Sequence, residues 1–145
     1  MPAAATPVAL TTLSEDERLL RRSIREFAEQ EVAPRVRAMD EAARLDPAVV
    51  SRLFELGLMG IAVPLRPEGA DGTFFHAVLA VEELSRVDPS VALLVDVHNT
   101  LVVSALRRWG TEVQQQAWLP RLATNAVGAY ALSEAGSGSD AFALV

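Results

Sequence analysis

Apolar positions recur every three or four residues through most of the first 125 positions, which is the pattern of amphipathic helices. In the first such segment Leu20, Ile24 and Phe27 share one side, while arginines and glutamates occupy the other. Ser14 precedes this segment and Glu17 follows three residues later, as in a capping box. A first helix is therefore predicted from residue 14 to about residue 32, and Pro34 is expected to kink or interrupt it.

Capping residues mark the starts of the later helices. The pairs Asp46-Pro47 and Asp88-Pro89 each place a side-chain acceptor before a proline at the first helical position. Thr73 and Thr111 are predicted to cap two more helices, and the stops are expected at Gly57, Arg86, Gly110 and Asn125. The polar triplet at residues 98–100 is expected to break the very apolar segment 91–97 from a next helix capped by Thr100.

The same periodicity predicts which side chains pack in the core. On the third helix these are Phe74, Val78, Val81 and Leu84. On the last helix they are Val113, Ala117, Trp118, Leu119 and Leu122. Trp109 is expected to pack in the same way, because it lies among apolar neighbours near a helix end.

After the helices, residues 127–132 alternate apolar and small side chains and predict one short strand. A lone strand cannot satisfy its backbone hydrogen bonds, so it implies a sheet whose other members are missing or come from another chain. We therefore predict a mainly α fold: a helical bundle of five or six helices followed by the first strand of a truncated β domain.

Composition excludes several classes of function. Thirteen Lys and Arg against nineteen Asp and Glu give a net charge of -6, which disfavours nucleic-acid binding. The absence of cysteine excludes disulfides and thiolate chemistry. His76 and His98 lack metal-ligand spacing, so each is interpreted as a structural histidine and no metal site is predicted. No membrane insertion is expected, and residues 1–12 are interpreted as a disordered leader of a cytoplasmic protein.

The densest chemical pattern lies at residues 130–141, which read Tyr-Ala-Leu-Ser-Glu-Ala-Gly-Ser-Gly-Ser-Asp-Ala. Gly136 and Gly138 permit positive φ and let a ligand approach the backbone, and the serines add hydroxyl donors. Such a turn suits a flavin edge or a phosphate. By composition alone, a flexible Gly-Ser linker is an equally good interpretation.

The full order of residues resembles the flavin-binding signature of the acyl-CoA dehydrogenases, an aromatic residue, two small or apolar residues, Ser or Thr, Glu, and a Gly-x-Gly-Ser-Asp turn. The likeness extends back through most of the chain and is nearest to the short/branched-chain members. It includes residues 56–61, 81–85, 109–112 and 118–120. At residues 64–72 the sequence departs from the family pattern, because its glycines are separated and an extra proline intrudes.

The resemblance implies a division into a leader (1–12), an N-terminal helical domain (13–125) and the start of a middle β domain (126–145). It implies FAD as cofactor, with contacts from Tyr130, Ala131, Leu132, Ser133, Gly138 and Ser139. Ser139 is also implied to contact the acyl-CoA substrate, whereas Asp140 is expected to bind its own backbone.

The resemblance places the catalytic glutamate in a C-terminal part, so no catalytic residue is assigned here and the chain alone is expected to be inactive. Glu82 and Glu83 are interpreted as solvated or structural. Electron-transfer flavoprotein is the implied partner of a full-length protein, and homo-oligomers are expected only at full length. The alternative hypothesis is a non-catalytic, truncated helical module that binds a partner, which an exposed apolar surface around residues 142–145 would favour.

Overall fold

The fold of residues 12–64, 69, 70, 72–142 and 144 is given by a computed structural model. The α-helices are α1 (Glu15–Phe27), α2 (Val36–Glu41), α3 (Pro47–Glu55), α4 (Phe74–Ser85), α5 (Pro89–Asp96), α6 (Ser104–Trp109) and α7 (Glu112–Thr124). A π-helical segment (Ala28–Val32) and a 3-10 turn (Ala33–Arg35) join α1 to α2. A second π-helical segment (Val97–Val103) joins α5 to α6. The described residues thus form five helical rods, which confirms the prediction of a mainly helical bundle.

The predicted caps hold the helix starts. Ser14, Thr73 and Thr111 each form a capping box, with side chain and backbone hydrogen bonds in both directions. Asp46 and Asp88 accept hydrogen bonds from the first backbone N–H groups of α3 and α5, and the proline at the first helical position has no N–H that needs an acceptor. After α3 the chain turns at Gly57, whose φ of +71° is in the left-handed region.

Two apolar clusters hold the rods together. The larger joins α1, α3, α4 and α5 through Ile24, Phe27, Leu53, Met59, Leu84 and Val95. The smaller lies around α7 and contains Val63, Val103, Leu119 and Leu122. Burial of these side chains is the main favourable contribution to the fold, at roughly 1.5–3 kcal/mol for each fully buried large one.

The predicted break at residues 98–100 is wrong, because helix continues from Pro89 to Trp109. The polar side chains that indicated a break are bonded within the fold: Asn99 Nδ2 donates to the carbonyls of Leu58 and Val95, and Thr100 Oγ1 donates to Asp96 O. A polar residue inside a buried helix is tolerated when every group has a partner. By length and apolar composition this rod could span a membrane, as core helices also can; here Val91, Val95 and Val103 are fully buried.

Several predicted core residues are exposed instead. On α4, Phe74 and Val78 face outward, and the buried side carries Ala77, Ala80 and Leu84. The remaining exposed residues are Val113, Ala117, Trp118 and Trp109. The guanidinium of Arg108 lies 5.1 Å from the Trp109 ring centre, and that of Arg121 lies 5.4 Å from the Trp118 ring centre.

The predicted strand at residues 127–132 is not formed; this segment has no regular secondary structure. In the described residues no second strand offers a hydrogen-bonding edge to it, and a strand does not persist without one. Residues 1–11 of the predicted leader (1–12) lie outside the described residues, and so do positions 65–68, 71, 143 and 145.

Candidate functional site

The Gly-Ser motif forms a small, largely exposed turn. The backbone N–H groups of Glu134 and Ser137 donate to each other's carbonyls, at 2.9 and 3.1 Å. Ser137 is 2% exposed and its hydroxyl donates to Asp140 O. Asp140 Oδ1 accepts from the Phe142 N–H at 3.1 Å, so Asp140 binds its own backbone as predicted. The motif is therefore a defined turn and not an unstructured linker.

The six predicted cofactor contacts all lie on one accessible stretch. Tyr130 is 50% and Leu132 is 40% exposed, and the remaining members are also exposed: Ala131, Ser133, Gly138 and Ser139. Their hydroxyls and backbone groups are available to a ligand. Ser133 lies next to the turn, because it directly precedes Glu134, which pairs with Ser137.

The two turn glycines are not required by the fold. A Cβ added at Gly136 or Gly138 would meet nothing within 4 Å, and neither residue has positive φ. By contrast, a Cβ at Gly128 would lie 2.5 Å from Val102 Cγ1, which is sterically impossible without movement. A need for glycine at 136 and 138 can therefore come only from something that approaches this turn from outside the described residues.

A buried histidine, which the sequence did not assign to the site, holds the base of this segment. His98 is fully buried, its Nε2 lies 2.9 Å from Leu122 O, and its Nδ1 accepts the Gly128 N–H at 3.0 Å. Burial lowers the pKa of His98 below its ordinary 6.5, although backbone hydrogen bonds oppose that shift. The signal in the sequence was a histidine at the start of the polar triplet 98–100, next to a very apolar segment.

Of the two adjacent glutamates on α4, Glu83 has a structural role. Glu83 is buried, and both of its oxygens accept hydrogen bonds from Arg25 of α1, at 2.8 and 3.0 Å. Glu83 raises the pKa of the Arg25 guanidinium through these bonds. Glu82 is half exposed and lies 3.8 Å from Arg86. The described residues hold no group of three or more metal-ligating side chains.

Comparison with known proteins decides the family. The sequence profile of the acyl-CoA dehydrogenase N-terminal domain matches residues 14–126. This chain belongs to the acyl-CoA dehydrogenase family. Its motif at residues 130–141 lies just beyond the end of that match.

Individual members of the family are similar to this chain over most of its length. A Dictyostelium discoideum protein named as a short/branched chain specific acyl-CoA dehydrogenase is 46% identical over 135 residues, covering 93% of this chain and 33% of that protein. The mitochondrial short/branched chain specific acyl-CoA dehydrogenase of Rattus norvegicus is 42% identical, covering 93% and 31%. A glutaryl-CoA dehydrogenase from Mycobacterium smegmatis, solved in complex with FADH2, is 31% identical with a TM-score of 0.81, covering 91% of this chain and 34% of that one.

The chain therefore spans about a third of the length of the acyl-CoA dehydrogenases that it matches. This chain contains the helical rods, the buried Glu83 and the Gly-Ser turn.

Proposed function

We propose that this chain supplies the helical domain and one wall of the flavin site of an FAD-dependent acyl-CoA dehydrogenase that acts on a short or branched acyl-CoA. The observation that carries the proposal is the exposed motif at residues 130–141, whose glycines 136 and 138 the fold itself does not require. The 46% and 42% identities to short/branched chain relatives support the substrate class.

The residues present fit a flavin. Ser133 and Ser139 offer exposed hydroxyls, and the open space at Gly138 lets a flat ring approach the backbone. The flavin, when bound, supplies the hydride acceptor for oxidation of the acyl group. The backbone of residues 130–133 and the Ser133 hydroxyl would donate hydrogen bonds to it, which stabilises negative charge that develops on reduction. Ser139 would contact the acyl-CoA.

No catalytic residue is assigned to this chain. Glu83 is held on both oxygens by Arg25, and Glu134 belongs to the motif turn, so neither fits the role of the base. We propose that the catalytic glutamate belongs to a C-terminal part and that this chain alone is inactive. Three further predictions remain proposals. They are electron-transfer flavoprotein as the partner, homo-oligomers at full length and a cytoplasmic location.

A hybrid protein tests this proposal. Residues 14–145 of this chain replace the matching third of the rat short/branched chain relative, and the flavin content of the purified protein is measured by its yellow absorbance. We expect full flavin content for the hybrid and reduced content for Ser133→Ala and Gly138→Val. Ser51→Ala, an exposed serine on α3, is the matched control and should change nothing. A folded hybrid without flavin, beside a flavin-loaded parent, contradicts the proposal.

One observation favours the alternative of a partner-binding module. Phe142 is a large apolar side chain that is fully exposed, and exposed apolar surface can mark a contact with another protein. Under the alternative, Phe142→Ser weakens capture of a partner and leaves flavin content of the hybrid unchanged. Under the main proposal, Ser133→Ala lowers flavin content.

A further inference from the structure

The helical rod from Pro89 to Trp109 contacts the base of the flavin-motif segment through two adjacent positions on one side. His98 and Val102 are one helical turn apart. His98 accepts the Gly128 N–H, and Val102 lies against the Gly128 Cα, where a Cβ would be 2.5 Å from its Cγ1. Gly128 is thus held by a hydrogen bond and by close packing against the same rod.

The two hydrogen bonds of His98 require one form of the ring. The Gly128 N–H is a donor, so Nδ1 must carry a lone pair; the Leu122 carbonyl is an acceptor, so Nε2 must carry the proton. Only the neutral tautomer protonated at Nε2 satisfies both partners. The groups that the structure places against the ring are the Phe54 side chain, the backbone of Met59 and Leu122, and the Gly128 amide, and none of these titrates.

This contact limits where the motif can lie. Residues 129–136 are all exposed, and the preceding anchor is the hydrogen bond from the Ala126 N–H to Arg121 O at 2.8 Å. Tyr130 is two residues from Gly128 and four from Ala126. At about 3.3 Å per extended residue, its reach is about 7 Å when Gly128 is held in place and about 13 Å when Gly128 is free.

We propose that His98 is a positioning residue for the flavin site: it fixes the backbone at Gly128 and thereby the position of residues 130–133. This inference rests on the proposed function for the role of those residues. The anchor itself rests only on the geometry at Gly128, so the two can fail separately.

The anchor is tested by amide hydrogen exchange, measured by NMR on the 145-residue chain. His98→Leu removes both hydrogen bonds, and His98→Gln retains one donor and one acceptor. Val103→Ala is the matched control, because it makes a cavity in the same rod without touching Gly128. We expect His98→Leu to lower protection of the Gly128 amide about tenfold beyond the loss at globally exchanging amides. His98→Gln should recover most of it.

In Val103→Ala the Gly128 amide should lose protection only in step with the globally exchanging amides. Equal effects of His98→Leu and Val103→Ala at Gly128, or an unprotected Gly128 amide in the unchanged chain, overturn the anchor. The ¹⁵N signals of His98 provide a test that needs no variant. We expect the tautomer protonated at Nε2, and the tautomer protonated at Nδ1 overturns the proposal.

Flavin affinity of the hybrid with the rat relative separates the anchor from the proposed function. We expect His98→Leu to weaken FAD binding more than Val103→Ala does, with His98→Gln in between. If Gly128 is protected through His98 but the unchanged hybrid binds no flavin, the proposed function fails and the anchor stands. If flavin binds and His98→Leu leaves its affinity unchanged, the positioning role is overturned.

Discussion

Glu83 is the buried charge on which the contact between α1 and α4 depends. Its side chain is fully buried and accepts two hydrogen bonds from Arg25, while Arg86 lies 3.6 Å and Arg21 4.0 Å away. The arginines are about half exposed, so they keep part of their hydration. Glu83 has no such contact with water and relies on these partners.

Glu83→Gln keeps the shape of this side chain and removes its charge. Hydrogen bonds to a buried charged group contribute about 1.5–3 kcal/mol each. Because the arginines regain water when the carboxylate is lost, we expect a net loss of about 2–3 kcal/mol in the free energy of unfolding. Urea denaturation followed by circular dichroism measures it, and the midpoint should fall by about 1 M.

Glu82→Gln, one residue earlier on the same helix, is the matched control. Glu82 is half exposed and 3.8 Å from Arg86, so the expected change is below about 0.5 kcal/mol. Equal effects of the two substitutions, or a change at Glu83 no larger than the control, would refute the structural role given to Glu83.

Three further predictions concern single residues. Because burial lowers the pKa of His98, the unfolded chain binds a proton that the folded chain does not as pH falls below about 6.5. The free energy of unfolding should therefore fall as pH falls below that value, and it should fall less in His98→Gln. Urea titrations at several pH values measure this difference. Gly57→Ala should cost about 1 kcal/mol in urea titrations, since φ is +71°. Gly128→Ala should destabilise the chain in thermal melts through the clash with Val102, whereas Gly138→Ala should leave its melting temperature unchanged.

Helix starts were predictable because caps are local. A side-chain acceptor such as Ser14, Asp88 or Thr111 satisfies backbone donors two or three residues away, so the sequence alone determines the contact. The left-handed turn at Gly57 follows equally from local chemistry.

Burial was less predictable because it depends on which other elements lie nearby. Phe74 and Val78 fit a helical stripe, yet the side of α4 that faces α1 and α5 carries alanines and Glu83. The segment at 98–100 appeared to be a break because polar residues usually mark one. Asn99 instead donates to Leu58 O, 41 positions away, a partner that no local pattern reveals.

The motif at residues 130–141 was recognised from its residue order, but its attachment was not. The His98–Gly128 hydrogen bond joins positions 30 residues apart, and no local pattern indicates such a partner. The predicted strand at 127–132 depends in the same way on partners that local sequence does not supply.

The most direct test of the account is anaerobic addition of a short, methyl-branched acyl-CoA to the flavin-loaded hybrid of this chain with the rat relative. We predict that the flavin is reduced and its yellow absorbance lost, because the proposed function has residues 130–139 hold the flavin and the acyl group against each other. A hybrid that binds flavin but keeps it oxidised, while the parent rat enzyme is reduced, would contradict the account.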